Sequence, residues 1–281
     1  MRIRARDMET IFDLSPNGLR LYEDKGILSP DRDDENGYRC YTEKELQILA
    51  RSMQLRRLGY SIKETEEILR CASLEENEQR HALRLKEIEK EIEWLTLLKR
   101  YLNRMAQLRE NSMHLMSACE VTRNPGVYFF GVRRGDRSLK RQTVEDMKVW
   151  LSRYSPFLSE AYLLDGNYIG TASDAPIHTS WQTGFLIDAD IALSMGLEPC
   201  ASSFYLPPIL CLQTALILRK PSDLQPVFDR VHAHAQSQSL SLRGGGYIRV
   251  LETWQENGET MLLALLLAQL LVPKDTGGNS L

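Results

Sequence analysis

No apolar run in the chain is long enough to cross a bilayer. The most apolar stretch, Met261–Val272, falls well short of the roughly 18–20 residues that a spanning helix needs. The N-terminal MRIRARDMETIF lacks the apolar core of a secretory signal. A soluble, cytoplasmic protein with no membrane partner is therefore expected. Cysteine is sparse and scattered: Cys40, Cys71, Cys119, Cys200 and Cys211 are odd in number, and no pair has CxxC or zinc-finger spacing. Reduced thiols are expected, with no metal and no cofactor. Nor does one sign of charge dominate. Against 38 Asp and Glu stand 35 Lys and Arg, for a net charge of -3. That excludes a polycation held on nucleic acid by bulk charge, because phosphate binding needs neutralising cations. Any phosphate-binding surface must be local. Even residues 1–70 carry 13 Lys and Arg against 14 Asp and Glu.

What the chain does have is three regions of different pattern, and 281 residues suffice for two compact domains. Residues 1–74 read as short helices punctuated by turns. Ser15-Pro16 is an N-cap followed by proline at the first helical position, opening a helix that Gly26 stops. Asn36-Gly37 has the chemistry of a tight hairpin turn. Thr42 with Glu45, then Ser61 with Glu64, have capping-box spacing, and Gly59 ends the first of those two helices. A helix, a sharp stop and a β-ribbon in this order describe a winged helix-turn-helix, which places a helix in the major groove of double-stranded DNA and a hairpin on its backbone. Arg20 lies one turn into that helix. Tyr22, Tyr38 and Tyr41 each have a hydroxyl to offer a phosphate while their rings pack on the fold. Arg39 on the wing, with Arg56, Arg57 and Lys63, supplies further cations. Ser15, Asn17 and Gly18 at the helix start complete the candidate DNA-contacting set.

Residues 75–112 contain neither glycine nor proline, and this stretch sets the span assigned to a dimerisation helix, 75–115. Leu85, Ile88, Ile92 and Leu95 recur at three- and four-residue intervals and Leu102 follows one heptad on, the seam of a helix pairing with another helix. A homodimer coiled coil is expected. Residues 120–273 change to β-rich runs: Val127–Arg133, Ala161–Leu164, Thr183–Ile187, Ser203–Leu206, Thr214–Leu218, Tyr247–Thr253 and Met261–Val272. Helical patterns cover Ser138–Arg153 and Leu224–Gln238. The order strand, helix, strand, strand then repeats, so the architecture is expected to be duplicated. The Leu- and Ala-rich Met261–Leu271 run has a helix former's composition at a strand's place in that repeat. Gly244-Gly245-Gly246 reads as a turn, and residues 274–281 as a flexible tail. The fold class is α+β.

The ordered set in residues 4–69, S-P, then L-R-L-Y-E-D-K-G-I-L, N-G-Y-R-C-Y and L-R-R-L-G-Y-S-I-K-E, resembles the DNA-binding domain of the MerR family of transcription regulators. The resemblance implies a long antiparallel dimer helix after the helix-turn-helix. It also implies a promoter-bound activator that distorts DNA so that RNA polymerase engages it. Metal sensors of that family end soon after the dimer helix with paired cysteines. Here Cys119 stands alone and the chain continues. Residues 120–273, with NPGVYFFGVRR, L-E-T-W and L-L-V-P, resemble the gyrase-inhibitor-like effector-binding domain of multidrug-sensing regulators. That resemblance implies an aromatic cleft with a carboxylate for a small lipophilic cation. Glu252 is the candidate carboxylate, and Tyr128, Tyr168, Trp181, Phe204, Tyr205, Tyr247 and Trp254 are the candidate rings. Strict alternation would put Glu252 on the Ile248 and Val250 face of its strand, an apolar setting for a charge. The alternative is a hydrolase-like effector domain with Glu252 as general base; no enzyme is expected.

Overall fold

A computed structural model of the chain describes residues 2–33, 37–70, 73–134, 139–164, 181–219 and 221–271. The chain divides into two compact units, Met1–Ile92 and Glu93–Leu281.

In the first unit the order is β1 (Ile3–Arg4), α1 (Ala5–Phe12), α2 (Pro16–Asp24), β2 (Asp31–Arg32), β3 (Arg39–Tyr41), α3 (Glu43–Arg57), α4 (Ile62–Arg70) and the beginning of α5 (Leu74–Leu115). Local chemistry sets nearly every boundary. The Ser15 hydroxyl accepts the Gly18 N–H at 3.0 Å, and Pro16 follows it. Thr42 and Glu45 exchange backbone N–H groups across the start of α3, as Ser61 and Glu64 do for α4. Ser73 and Glu76 do the same for α5. Gly26 and Gly59 stop α2 and α3 at φ +64° and +93°, a conformation that glycine adopts without steric cost. Leu19 and Tyr22 of α2 pack with Ile3, Met8, Ile27, Leu28, Tyr41 and Leu49 in one core. β3 is the centre of a small antiparallel sheet, β1-β3-β2. Gly37 follows the wing turn at φ +71°, whereas Asn36 lies outside the described residues. Replacing Ser15 by Ala is expected to cost about 1 kcal/mol in urea unfolding of this unit; a change within a few tenths of a kcal/mol would show the cap to be idle.

In the second unit the rest of α5 is followed by β4 (Glu120–Arg123), β5 (Val127–Arg134), α6 (Arg141–Tyr154), β6 (Ser159–Leu164), β7 (Trp181–Asp188), α7 (Ala189–Ser194), β8 (Ser203–Leu206) and β9 (Leu210–Leu218). A 3-10 turn, α8 (Gln225–Ser237), β10 (Leu242–Glu256) and β11 (Glu259–Leu270) complete it. Among the described residues the strands form one antiparallel sheet in the order β4-β9-β11-β10-β6-β7-β5-β8. The expected duplication is visible in that order. β5-α6-β6-β7 and β9-α8-β10-β11 are equivalent, and they meet where β6 pairs with β10. The strand leading each half crosses to the other: β4 pairs with β9, and β8 with β5. Met261–Leu270 is strand, not helix, because β9 and β10 flank it on both sides and satisfy its backbone. Gly244–Gly246 is not a turn; it lies inside β10, where the register shifts between Leu242 and Gly246 and Gly244 takes φ +89°.

Two cores cover one face of the sheet. α8 sets Val227, Phe228 and Val231 on Leu212, Leu216, Ile248 and Leu266. α6 sets Trp150 and Tyr154 on Phe130 and Ile187. On the other face, Met105 and Leu108 of α5 pack with Phe129, Ala161, Tyr247, Leu251, Leu265 and Leu267. The alternation of β10 breaks once on that side. Register passes from Val250↔Ala264 to Glu252↔Leu263, so Leu251 is an extra, bulged residue.

Candidate nucleic-acid interface and effector site

α2 buries Leu19 and Tyr22 and turns Asn17, Arg20 and Leu21 outward. No ion pair involves Arg20 among the described residues. At the helix start Ser15 is spent as the cap, and the half-buried Gly18 donates its N–H to it. A Cβ at Gly18 would stand 3.3 Å from that hydroxyl oxygen, which favours a residue without one. Arg56, at the end of α3, is exposed and donates to the Tyr60 carbonyl at 2.5 Å. Its charge also reaches Tyr22: burial pushes the Tyr22 phenol up, and Arg56 partly offsets this. Lys63 is exposed on the first turn of α4.

The wing differs from expectation. Tyr41 is fully buried and its hydroxyl donates to Glu23. Burial, then the Glu23 hydrogen bond and charge, push its phenol up, so it has no hydroxyl free for a phosphate. Arg39 is also drawn inward: its guanidinium meets Glu23 at 2.5 Å and lies 4.0 Å from Glu9. Glu23, which sequence reasoning missed, thus ties β3 to the end of α2. The signal was faint, since Glu23 is separated by 16 residues from one partner and 18 from the other. Tyr22 is buried, and its ring, not its surface, serves the fold. Tyr38 is 72% exposed.

In the second unit the bulge at Leu251 moves Glu252 off the Ile248 face. It pairs with Leu263, on the side of Tyr247 and Arg249, and its carboxylate accepts from Arg109 of α5 at 2.8 Å. Trp254 follows on the same side, opposite Met261. The described candidate rings lie on two faces of the sheet. Phe204 stacks near Phe129, with centroids 5.5 Å apart, on the Tyr247 side. Tyr128 and Tyr205, 5.0 Å apart, alternate to the α6 side. Tyr168 lies outside the described residues, and Trp181 opens β7. The Tyr247 hydroxyl is buried and donates to Asn124.

Between Glu252 and Tyr247 lies a polar network that the sequence flagged only by an arginine inside the apolar run YIRVLETW. Arg249, buried, holds the fully buried Asp188 with two hydrogen bonds of 2.8 and 3.1 Å. Its Nε donates to Ser159 at 3.3 Å. Arg104 of α5 reaches the same carboxylate at 2.9 Å and grips Asp190 with two bonds. Burial pushes the Asp188 carboxyl up, but Arg249 and Arg104 push it further down, so the net shift is downward. Beside this network, where the two halves of the sheet meet, is a depression of about 410 Å³ lined by Leu163, Leu206, Ile209, Arg243, Tyr247 and Gln269, among others. No cluster of possible metal ligands occurs among the described residues. No described helix is long and apolar enough to cross a membrane.

Residues 3–71 match the family model for MerR HTH family regulatory proteins. The HTH-type transcriptional regulator CueR of Escherichia coli O157:H7 is 30% identical over 113 residues, 40% of this chain and 80% of CueR. The transcriptional regulator BrlR of Pseudomonas aeruginosa is 30% identical over 139 residues, 45% of this chain and 50% of BrlR. Among solved structures, EcmrR in its cryo-EM complex with DNA aligns over 95% of this chain and 99% of that one, with 16% identity and a TM-score of 0.36. With a capped α2, a β-ribbon behind it and a long helix after both, the chain belongs to the MerR family of DNA-binding transcription regulators.

Proposed function

We propose that the protein is a homodimeric, ligand-responsive regulator that sits on promoter DNA and activates transcription by distorting it for RNA polymerase. The observation that carries the reading of DNA is the outward face of α2, where Asn17 and Arg20 stand clear of the core near a capped helix start. A helix N-terminus and an unpaired guanidinium suit phosphates and base edges. Arg56 and Lys63 add phosphate contacts, and the exposed Tyr38 does so from the wing. Arg39, Tyr22 and Tyr41 act by holding the wing and α2 in place. Dimerisation is supported by α5, on which Leu85, Ile92, Leu95 and Leu102 are 57%, 58%, 52% and 57% exposed. A seam of large apolar side chains facing water favours a second copy. The working parts are then residues 1–74 for DNA, 75–115 for dimerisation, 120–273 for the effector and 274–281 as a tail.

The effector of this reading is a small lipophilic cation, returned unchanged, that takes Glu252 from Arg109. Glu252 is 42% exposed on its side chain and is followed by Trp254, so a cation can reach both charge and ring. Because Arg109 belongs to α5, the exchange loosens one tie between sheet and helix and shifts the population of dimer geometries. Footprinting on the protein's own upstream DNA tests the DNA half. Protection is expected, and affinity should fall about 1,000-fold between 50 and 200 mM salt if some six phosphates are neutralised. Absence of any salt-sensitive binding would overturn it. Isothermal titration with tetraphenylphosphonium tests the other half: Glu252→Gln should weaken binding about tenfold, and equal affinity refutes the assignment.

A further inference from the structure

We propose that Leu21 reads sequence: its side chain packs on the 5-methyl group of one thymine in each half-site of the operator. This rests on α2 being the helix that enters the major groove, and it names what the groove must present there. α2 has nine residues and buries two of them, Leu19 and Tyr22. Asn17, Arg20, Leu21 and Asp24 are exposed. Their i, i+3, i+4, i+7 spacing sets all four on one face of the helix. Three of the four are polar. Leu21 is 45% exposed among them and takes no part in the core that Leu19 and Tyr22 build with Ile3, Met8 and Leu49.

A single exposed leucine is ordinary on a folded surface; its neighbours on this face are what give it a task. A leucine side chain has no hydrogen-bond donor or acceptor, so it offers nothing to a phosphate or to the polar edge of a base. What it offers a groove is the removal of apolar surface from water. In the major groove the thymine 5-methyl is the apolar mark of sequence, whereas guanine, adenine and cytosine are told apart there by donors and acceptors. The neighbours supply the other kinds of contact. Arg20 has a guanidinium for guanine or phosphate, and Asn17, one turn before Leu21, has the amide that pairs with adenine. Asp24 ends the stripe with a carboxylate, which phosphates repel, so the first two turns are the part that approaches DNA. Those turns are held by the bond from Gly18 to Ser15.

Gel-shift titration of the full chain on its footprinted operator tests this, with each thymine of a half-site replaced in turn by deoxyuridine, which lacks only the methyl group. Wild type should lose about fourfold in affinity at one position per half-site, the worth of one buried methyl at about 0.8 kcal/mol. Leu21→Ala should bind the unmodified operator more weakly by a similar factor and be indifferent to deoxyuridine at that position. Its urea midpoint and its slope of log affinity against log salt should match wild type, since neither a core contact nor a phosphate contact is removed. A flat deoxyuridine scan in wild type, which needs no variant to fold, would overturn the proposal. So would an undiminished deoxyuridine loss in Leu21→Ala, or a shallower salt slope in that variant. A missing footprint would sink the placement of α2 in the groove and Leu21 with it, whereas a sound footprint with a flat scan removes Leu21 alone.

Discussion

Replacing Asp188 by Ala is expected to lower the unfolding free energy of the second unit by about 3–5 kcal/mol, because breaking a buried ion pair from one side strands the other charge. Arg249 is buried at the centre of the sheet, and Asp188 is the only carboxylate it meets among the described residues. Without Asp188 the guanidinium keeps its desolvation cost and loses its counter-charge. Asp190→Ala removes a carboxylate from the same α5 arginine, Arg104, but at a position 42% exposed. Water replaces much of what is lost there, so its cost should stay at or below about 1 kcal/mol. The acid limb of stability carries the same signature. Asp188 titrates below its ordinary value of 3.8 in the folded protein, so its ionisation stabilises the fold fully above that value. The contribution is lost as pH falls from there through the depressed folded value. Urea unfolding of wild type and Asp188→Asn should therefore differ most at neutral pH and converge below about pH 4. A constant gap across that range, or a cost for Asp188→Ala no larger than for Asp190→Ala, would mean that the buried pair is not what holds the sheet centre together.

Arg20→Ala should weaken operator binding about 10- to 100-fold, the scale of one good side-chain contact to a base edge. Its effect on unfolding should stay within about 0.5 kcal/mol, since the residue is exposed and outside the core. The two quantities together separate reading from folding. If Arg20 contacts a phosphate, the slope of log affinity against log salt should also drop by about one; if it contacts a base, specificity relaxes at one position and the slope holds. Arg39→Ala is the useful contrast. Arg39 is engaged by Glu23 and Glu9, so its removal should loosen the wing and weaken binding on every sequence alike. Unchanged affinity and slope in Arg20→Ala would remove α2 from the interface.

The first unit was legible because its signals are local. Ser15-Pro16, Thr42 with Glu45, Ser61 with Glu64, and the stops at Gly26 and Gly59 act within a turn of where they stand. The long helix was legible for a related reason: no breaker interrupts residues 75–112, and the structure extends the helix only to Leu74–Leu115. β4 escaped, as did α1 and α7, whose eight and six residues are too few for a periodicity to declare itself.

The candidate sites were harder, since each turned on partners distant in the chain. Nothing near Arg39 or Tyr41 announces that Glu23 will claim both. Nothing in VLETW announces a bulge at Leu251, yet one extra residue moved Glu252 to the opposite face and gave it Arg109, 143 residues away. The sequence by itself determined where α2 and α3 start and stop, where α4 starts, and that strand, helix, strand, strand would be repeated, because capping and alternation are written in neighbouring residues. Only the tertiary structure decided that β4 and β8 exchange halves and which carboxylates are consumed by arginines. Those outcomes depend on burial and on pairing between distant segments, where removing water makes an unmatched charge costly.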